Sequence, residues 1–405
     1  MNRNRVGVLA AGVLLVATGC WRQDGGDAAH TGFDPAEHKV TAANVATLSR
    51  TWTTATGNPS TSPVISGSSV FAAGPDGVTA YDIVNGSVRW TVLGPDPTFG
   101  SMSFRNLTID DVGVVVPYGH IGGGGYSTLD KATGAEIANV GGFHQLAGSS
   151  KVYRADVSAD LLGSYGSGGP IGFNLRYGLK RTIVGCCDLS GPRPTEPSIV
   201  GRFVVIGEGT KVMGFSLDAC APSPSTGICA ADWTADLGST VGTPVGIDGV
   251  TVAITIATGD VQILNVSTGA RIRTLDVPAP TATTPAIGRA SIFVGGTDGK
   301  VHAFAKAGCG AATCPPAWSV DTGTGAAISH QPAIGADVVY AGTANGRVAA
   351  LSTTCATASC SPLWTATVSD SATSGAVMGI AIDDGSVYAT ASTGPVGSIA
   401  VFRLP

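Results

Sequence analysis

Cysteine is the residue type with the widest chemical scope in this 405-residue chain, which contains nine cysteines. Cys20 stands alone near the N-terminus, and the other eight form an even set, which is typical of disulfides in an oxidising compartment. Six of the eight form three pairs in which the second cysteine lies four residues before Trp233, Trp318 or Trp364. This spacing predicts three disulfides that close lengthened hairpin turns: Cys220–Cys229, Cys309–Cys314 and Cys355–Cys360.

The two remaining cysteines, Cys186 and Cys187, are adjacent in the sequence. A disulfide between neighbouring residues closes a strained ring, and backbone strain tends to mark functional sites. Two other interpretations stay open: a vicinal disulfide that only stiffens a loop, and two cysteines that pair with other residues.

Other motifs with chemical potential are weaker. The chain has no Gly-x-Ser-x-Gly nucleophile elbow. His120 precedes four glycines, Gly122 to Gly125, but no Gly-Lys-Ser/Thr follows them, so a phosphate-binding loop is not predicted. The remaining histidines are scattered, and one cysteine pair per repeat cannot supply the four ligands of a zinc site. We therefore predict neither a catalytic residue nor a metal site from motifs alone.

The N-terminus has the features of an export signal. Arg3 and Arg5 precede an apolar run from 6 to 17, which is too short to span a bilayer comfortably. Ala17, Thr18 and Gly19 then lead to Cys20, in a pattern that resembles the bacterial lipoprotein signal. We predict a signal peptide over 1–19, lipidation of Cys20 and an extracytoplasmic, membrane-anchored protein. An ordinary secretory signal is the alternative.

Composition excludes several protein classes. Only 13% of the residues are charged and 43% are hydrophobic, which is the opposite of a disordered chain. The formal net charge of −5 argues against a nucleic-acid-binding protein, which usually carries a basic surface. The 58 glycines have no Gly-X-Y period and instead suggest many tight turns.

An internal repeat organises the chain after the signal. The segment AYDIVNGSVRW at 80–90 recurs in weaker form at 128–138, 172–182 and 263–273, and the cysteine pairs occupy the same place in three further copies. Each copy is typical of a β-hairpin, because Asp or Asn and Gly favour the turn between two strands. A Pro-containing phrase, such as Ser62-Pro63-Val64, precedes several copies and leads into two more strands.

Four short strands about every 45 residues are typical of a β-propeller blade. Residues 378–404 supply three strands, and 50–56 supply a lone strand that contains Trp52. Pairing them would close the ring and remove exposed sheet edges. We predict an all-β propeller of eight four-stranded antiparallel blades over 50–405, with seven blades as the fallback. The recurring tryptophans are predicted to pack between blades.

The repeated segment at 80–90 resembles the pyrroloquinoline-quinone-like propeller repeat of the quinoprotein-like superfamily. The segment 21–52, with Trp21, Gly25-Gly26-Asp27 and His30-Thr31-Gly32, is similar to the lead-in of that superfamily. The superfamily includes quinoprotein alcohol dehydrogenases and the propeller lipoprotein of the outer-membrane β-barrel assembly machinery. The resemblance implies the propeller fold without fixing an activity.

The favoured hypothesis is a membrane-anchored scaffold that binds a protein partner or small ligand at the propeller mouth, without enzymatic activity or a cofactor. Residues 20–49 would serve as tether and lead-in. The alternative implied by the resemblance is a dehydrogenase that uses pyrroloquinoline quinone and calcium, with a Cys186–Cys187 disulfide covering the quinone. Against it, the chain is shorter than those enzymes, and no Asp, Glu and Asn set occurs at their spacing.

The sequence predicts that the mature protein begins at a lipid-modified Cys20. Mass spectrometry of protein extracted from membranes should find this N-terminus, and Cys20→Ala should release the protein from the membrane fraction because acyl chains provide the anchor. An unmodified N-terminus at another residue in the wild-type protein would contradict the prediction.

Overall fold

The computed structural model describes residues 21–405 except 57–60, 75–76, 94–105, 121–122, 144–150, 155–156, 163–170, 178–179, 188–193, 219–227, 282, 356–359, 371–374 and 395. Apart from a 3₁₀ turn at Val45–Thr47, the regular elements of this part are β-strands. Within the described residues, no helix has both the length and the hydropathy needed to cross a membrane.

The described strands form eight sheets, numbered here by the order of their first strands. Each contains four antiparallel strands, and sheets 3, 5 and 7 also have a fifth, parallel strand. The fifth strand is Ile228–Cys229 in sheet 3, Thr313–Cys314 in sheet 5 and Phe33–Asp34 in sheet 7. The four antiparallel strands of each sheet are as follows. Sheet 1 comprises Val64–Ser66, Ser69–Gly74, Gly77–Asp82 and Val88–Leu93. Sheet 2 comprises Thr108–Ile109, Val114–His120, Gly123–Leu129 and Glu136–Phe143. Sheet 3 comprises Lys151–Arg154, Val157–Leu162, Ile171–Tyr177 and Lys180–Cys187. Sheet 4 comprises Ser198–Val200, Phe203–Glu208, Lys211–Ser216 and Trp233–Asp236.

The second half of the chain repeats this order. Sheet 5 comprises Val245–Gly246, Thr251–Thr255, Val261–Asn265 and Arg271–Leu275. Sheet 6 comprises Ala286–Ile287, Ser291–Gly295, Lys300–Ala305 and Trp318–Asp321. Sheet 7 comprises Ala333–Gly335, Val338–Gly342, Arg347–Ser352 and Trp364–Thr367. Sheet 8 comprises Ala376–Asp383, Ser386–Ser392, Gly397–Arg403 and the N-terminal strand Ser49–Thr56.

The sheets form a ring around a central channel. The first strand of each sheet contacts the first strand of the next, and the first strand of sheet 8 contacts that of sheet 1. Ser49–Thr56 pairs antiparallel with Gly397–Arg403, so the two ends of the chain share one sheet. These observations confirm the predicted all-β propeller and its closure by an N-terminal strand. We interpret each sheet as one blade.

The recurring tryptophans join neighbouring sheets, as predicted. The indole N–H of Trp52 donates to Ile83 O at 3.2 Å, that of Trp90 to Lys131 O at 3.2 Å, and that of Trp233 to Val266 O at 2.7 Å. Each acceptor belongs to the hairpin turn of the following repeat. The glycine of that turn has a positive φ and lies under the indole ring. A side chain at this position would collide with the ring, so glycine is required there.

Two of the three predicted disulfides are present. Cys309–Cys314 and Cys355–Cys360 join residues whose Cα atoms are 5.7 and 5.9 Å apart. Cys220 lies outside the described residues, so the Cys220–Cys229 pairing stays a prediction. The loop closed by Cys309–Cys314 does more than close a turn, because Thr313–Cys314 adds a fifth, parallel strand to the outer edge of sheet 5. Ile228–Cys229 adds one to sheet 3 in the same way.

A glycine substitution under one indole ring tests this packing. Gly86 has φ +73°, and a methyl group on its Cα would lie 2.5 Å from Trp52 Cε3. We expect Gly86→Ala to lower the free energy of unfolding by about 2–4 kcal/mol, from left-handed strain and overpacking together. Gly67→Ala is the matched control, since Gly67 has φ +58° with no atom within 4 Å of its added carbon. It should cost only about 1–2 kcal/mol in urea unfolding, and equal losses would contradict the packing argument.

Candidate functional site

The segment Trp21–Asp34 runs around the inside of the ring. Six of its backbone carbonyls accept hydrogen bonds from the first strands of six sheets, at 2.6–2.8 Å. In chain order, the donor and acceptor pairs are Ile65 to Trp21, Ile109 to Arg22, Ile199 to Ala28, Gly246 to Ala29, Ile287 to Thr31 and Ile334 to Gly32. Trp21–Asp34, part of the segment predicted to be tether and lead-in, is therefore hydrogen-bonded into the propeller.

The recurring Pro phrase explains why these contacts repeat. In five of the six sheets the donor amide lies two residues after a proline: Pro63, Pro197, Pro244, Pro285 and Pro332. The residues that precede these prolines therefore occupy equivalent positions in their sheets. Asn106 occupies this position in sheet 2, where Leu107 replaces the proline. Four of these residues, Ser62, Asn106, Glu196 and Gln331, have polar side chains that lie at the segment Trp21–Asp34.

Several of these side chains belong to a polar group that we call the channel cluster: Asp24, His30, Ser62, Asn106, Glu196 and His330. The Asn106 amide lies between two carboxylates, since its Nδ2 donates to Asp24 Oδ2 at 3.1 Å and to Glu196 Oε1 at 2.8 Å. Ser62 Oγ donates to Asp24 Oδ1. The cluster thus joins the N-terminal segment to sheets 1, 2 and 4 through charge-assisted hydrogen bonds.

His30 is the buried centre of the cluster, and its backbone is in the left-handed region with φ 54°. Its Nδ1 lies 2.8 Å from Asp24 O and its Nε2 lies 3.1 Å from Pro197 O. Both ring nitrogens therefore face backbone carbonyl oxygens. His30 O accepts from Gln331 Nε2 at 2.7 Å, which links the segment to sheet 7 as well.

Asp27 shapes the turn that carries His30. Its carboxylate accepts from the amides of Ala29 and Thr31, both at 3.0 Å, and from Thr31 Oγ1 at 2.6 Å. Burial raises the pKa of Asp27 above its ordinary value, although the hydrogen bonds from Thr31 act in the opposite direction. The Asp27 side chain therefore stabilises this turn through hydrogen bonds to Ala29 and Thr31.

Metal binding is one chemistry that the cluster could support. Asp24, His30 and Glu196 each offer a ligand atom, and these atoms all lie within 4.8 Å of one another. The oxygens of Asp24, Glu196 and Asn106 are of the type that calcium prefers. In the observed arrangement, however, the Asn106 NH₂ group lies between the carboxylates and both His30 nitrogens face carbonyl oxygens.

Nucleophilic catalysis is poorly supported. Ser62 Oγ lies 3.2 Å from His330 Nε2, a separation seen in serine–histidine pairs. The single hydroxyl hydrogen of Ser62 is directed to Asp24, and the residue is only 2% exposed. A substrate could therefore not reach this hydroxyl without rearrangement of the cluster.

Sequence analysis missed most of the cluster. The histidines are scattered in the sequence and share no position. The signal that could have located the cluster is that Glu196-Pro197 and Asn106-Leu107 stand at the positions of Ser62-Pro63 in their own repeats. The absence of an Asp, Glu and Asn set at the spacing of the quinoprotein dehydrogenases says nothing about residues that are distant in the sequence. The fold brings Asp24, Asn106 and Glu196 together from distant positions.

The predicted cofactor residues stand elsewhere. The backbone of Cys186 and Cys187 ends the last strand of sheet 3, where Ile171 faces Cys187 and Gly172 faces Gly185, so the strand bulges at Cys186. Their side chains, Cys20 and the predicted signal peptide lie outside the described part. The described tryptophans are engaged in packing, for example Trp21 on Gly26, Trp318 on Phe293 and Trp364 on Phe402.

Known proteins with similar sequences or structures have the same fold. The family model described as "Outer membrane protein assembly factor BamB" matches residues 3–144 and 229–403. No curated protein matches the chain significantly. A solved structure of BamB from Moraxella catarrhalis is 17% identical, with a TM-score of 0.60, and the match covers 88% of this chain and 99% of that one.

Two further solved structures have the same fold. Quinohemoprotein alcohol dehydrogenase from Comamonas testosteroni is 14% identical, with a TM-score of 0.66, over 96% of this chain and 81% of that one. The computationally designed Ika8 protein is 16% identical, with a TM-score of 0.63, over 86% of this chain and 97% of that one. At these identities the likeness concerns the fold alone.

The bridging role of Asn106 can be tested by an isosteric substitution. Asn106→Asp replaces a donor with a third carboxylate, so we expect the free energy of unfolding at pH 7 to fall by about 2–3 kcal/mol. Asn139→Asp is the matched control, because the exposed Asn139 amide donates to Glu136 Oε2 at 3.0 Å. Asn139→Asp should change the free energy of unfolding by no more than about 0.5 kcal/mol. A loss at Asn106 no larger than at Asn139 would refute the bridge.

Proposed function

Because the chain belongs to the family described as outer membrane protein assembly factor BamB, we propose that it is an exported, membrane-anchored propeller that acts as a protein-interaction scaffold without enzymatic activity. Family membership favours a role in holding other proteins, since the name of the family describes an assembly factor. The propeller fold itself hosts both binding proteins and enzymes, so the argument rests on the site.

The observation that carries the proposal is the path of Trp21–Asp34 through the ring. Its carbonyls accept from inward-facing amides of six sheets, and several of its side chains, among them Trp21, Gln23 and His30, are buried. A central channel used in this way supports rigidity more than substrate access. The surfaces left for recognition are then the loops at the two faces and the outer edges of the sheets.

The chemistry of the chain supports export and anchoring. Cys309–Cys314 and Cys355–Cys360 are disulfides of the kind that persist in an oxidising compartment. Trp21 is only 3% exposed and directly follows Cys20. A lipid on Cys20 would therefore leave almost no free chain between membrane and propeller, so the anchor would hold the folded body close to the bilayer.

A second candidate function is a dehydrogenase dependent on pyrroloquinoline quinone. The observation that favours it is the meeting of Asp24, Asn106 and Glu196, whose oxygens suit calcium once the Asn106 amide turns its oxygen inward. The cofactor would supply the redox chemistry, and these residues would hold the ion beside it. The packed state of the described tryptophans weighs against this candidate.

Cross-linking in intact cells tests the scaffold function. An affinity-tagged wild-type chain, treated with a short amine-reactive cross-linker and purified from membranes, should yield one recurrent envelope protein at near-equal amount. Cys20→Ala should lose most of this product, because anchoring raises the local concentration of the pair. Recovery of no recurrent partner from anchored protein would count against the scaffold, and saturable binding of pyrroloquinoline quinone with Ca²⁺ to the purified chain would favour the second candidate.

A further inference from the structure

The outer edges of sheets 3 and 5 are each covered by a short parallel strand from the hairpin of the following repeat. In sheet 5 the edge is covered, because the stapled loop of the next repeat brings Thr313–Cys314 alongside it. The amides of Thr274 and Asp276 donate outwards to Ala312 O at 2.8 Å and Cys314 O at 2.9 Å. A short hairpin turn, by contrast, contacts only the indole ring of the preceding sheet and does not extend along its outer edge.

Sheet 1 has an open edge of this kind. The turn of the next repeat, Asp130 to Gly134, is short, and Gly134 lies under Trp90. In the part of the chain that the structure describes, no strand pairs with the outer side of Val88–Leu93. By equivalence of the two hairpins, Thr91 corresponds to Thr274 and Leu93 to Asp276, so their amides face outwards in the same way.

An apolar groove lies beside this edge. It has a volume of about 300 Å³ between the strand Ser49–Thr56 of sheet 8 and sheet 1, and its lining includes Ala55, Ala72, Gly74, Thr79 and Leu93. None of its described lining residues is charged. Leu93 is 73% exposed and Val88 is 55% exposed at its border. Apolar side chains at an unpaired edge strand are unusual, since natural edges are generally protected by charges, proline or a covering segment.

We propose that the outer edge of Val88–Leu93, together with this groove, binds an extended segment of a partner protein by strand addition. The occupant forms main-chain hydrogen bonds with Thr91 and Leu93 and places an uncharged, aliphatic side chain in the groove. This division of labour is general for strand addition, in which the backbone provides affinity and pockets select side chains. The precedent lies in the chain itself, at the covered edges of sheets 3 and 5.

The proposal deepens the scaffold function and rests on it, because it identifies where a partner would attach. The probe for a direct test is the capped peptide Lys-Thr-Leu-Thr-Leu-Thr-Lys. A second peptide of the same sequence carries N-methyl groups on its three threonine amides and is unable to donate from them. Fluorescence anisotropy with the purified full chain should show saturable, one-to-one binding of the first peptide and at least tenfold weaker binding of the second.

Variants of the edge locate the binding. Thr91→Pro removes one outward-facing amide, a position where an edge strand tolerates proline, and Leu93→Asp places a charge at the border of the groove. Each should weaken binding at least tenfold. Thr234→Pro makes the same change at the edge of sheet 4 and should alter binding less than twofold. Absence of binding at millimolar peptide, equal binding of both peptides, or equal effects at Thr91 and Thr234 would overturn the proposal.

Hydrogen exchange separates an open edge from a covered one. In the free protein the amides of Thr91 and Leu93 should exchange rapidly and those of Thr274 and Asp276 slowly, and the peptide should protect the first pair. Protection of Thr91 and Leu93 without peptide would show that this chain covers its own edge, and would refute the site. If Thr91→Pro left the cellular cross-linked product unchanged, the scaffold function would stand and this edge would be excluded.

Discussion

The whole architecture depends on where the inward-facing amides of the first strands find their acceptors. Each sheet of the ring has an inner and an outer edge strand, and the inner edge of each first strand faces the channel. A buried amide without an acceptor costs about 1–3 kcal/mol. The carbonyls of Trp21–Asp34 accept from six sheets in turn, so one short segment pairs groups that lie as far apart in sequence as Ile65 and Ile334.

The outer half of the ring is held by a different contact. Trp52, Trp90 and Trp233 each cover a glycine of the following turn and donate to a carbonyl within that turn. In sheet 5 the position of the indole is taken by Arg273, whose Nη2 donates to Lys306 O at 2.7 Å. The shared element is thus a donor that reaches the next turn, combined with a flat group over glycine, and a guanidinium satisfies both requirements.

The parts of this structure that sequence could predict are the local ones. Asp82 and Gly86 specify a turn through bonds within five residues, and the cysteine pairs at 309–314 and 355–360 lie close enough to be joined by spacing alone. The channel cluster was beyond such reasoning, because Asp24 and Glu196 meet only after the ring has closed. The strand added at Thr313–Cys314 was missed for a related reason: a loop that closes a turn in one repeat pairs with the edge of another.

The physical nature of the cluster also bears on function. Two carboxylates side by side repel each other unless a cation or a hydrogen-bond donor lies between them. Asn106 supplies that donor from within the chain, and Ser62 and the backbone around His30 complete the network. An ion would have to displace the Asn106 donor before it could bind. The interior is therefore self-sufficient as a structural core, and recognition is better assigned to the periphery, where Leu93 and Val88 remain exposed beside unpaired backbone in the described part of sheet 1.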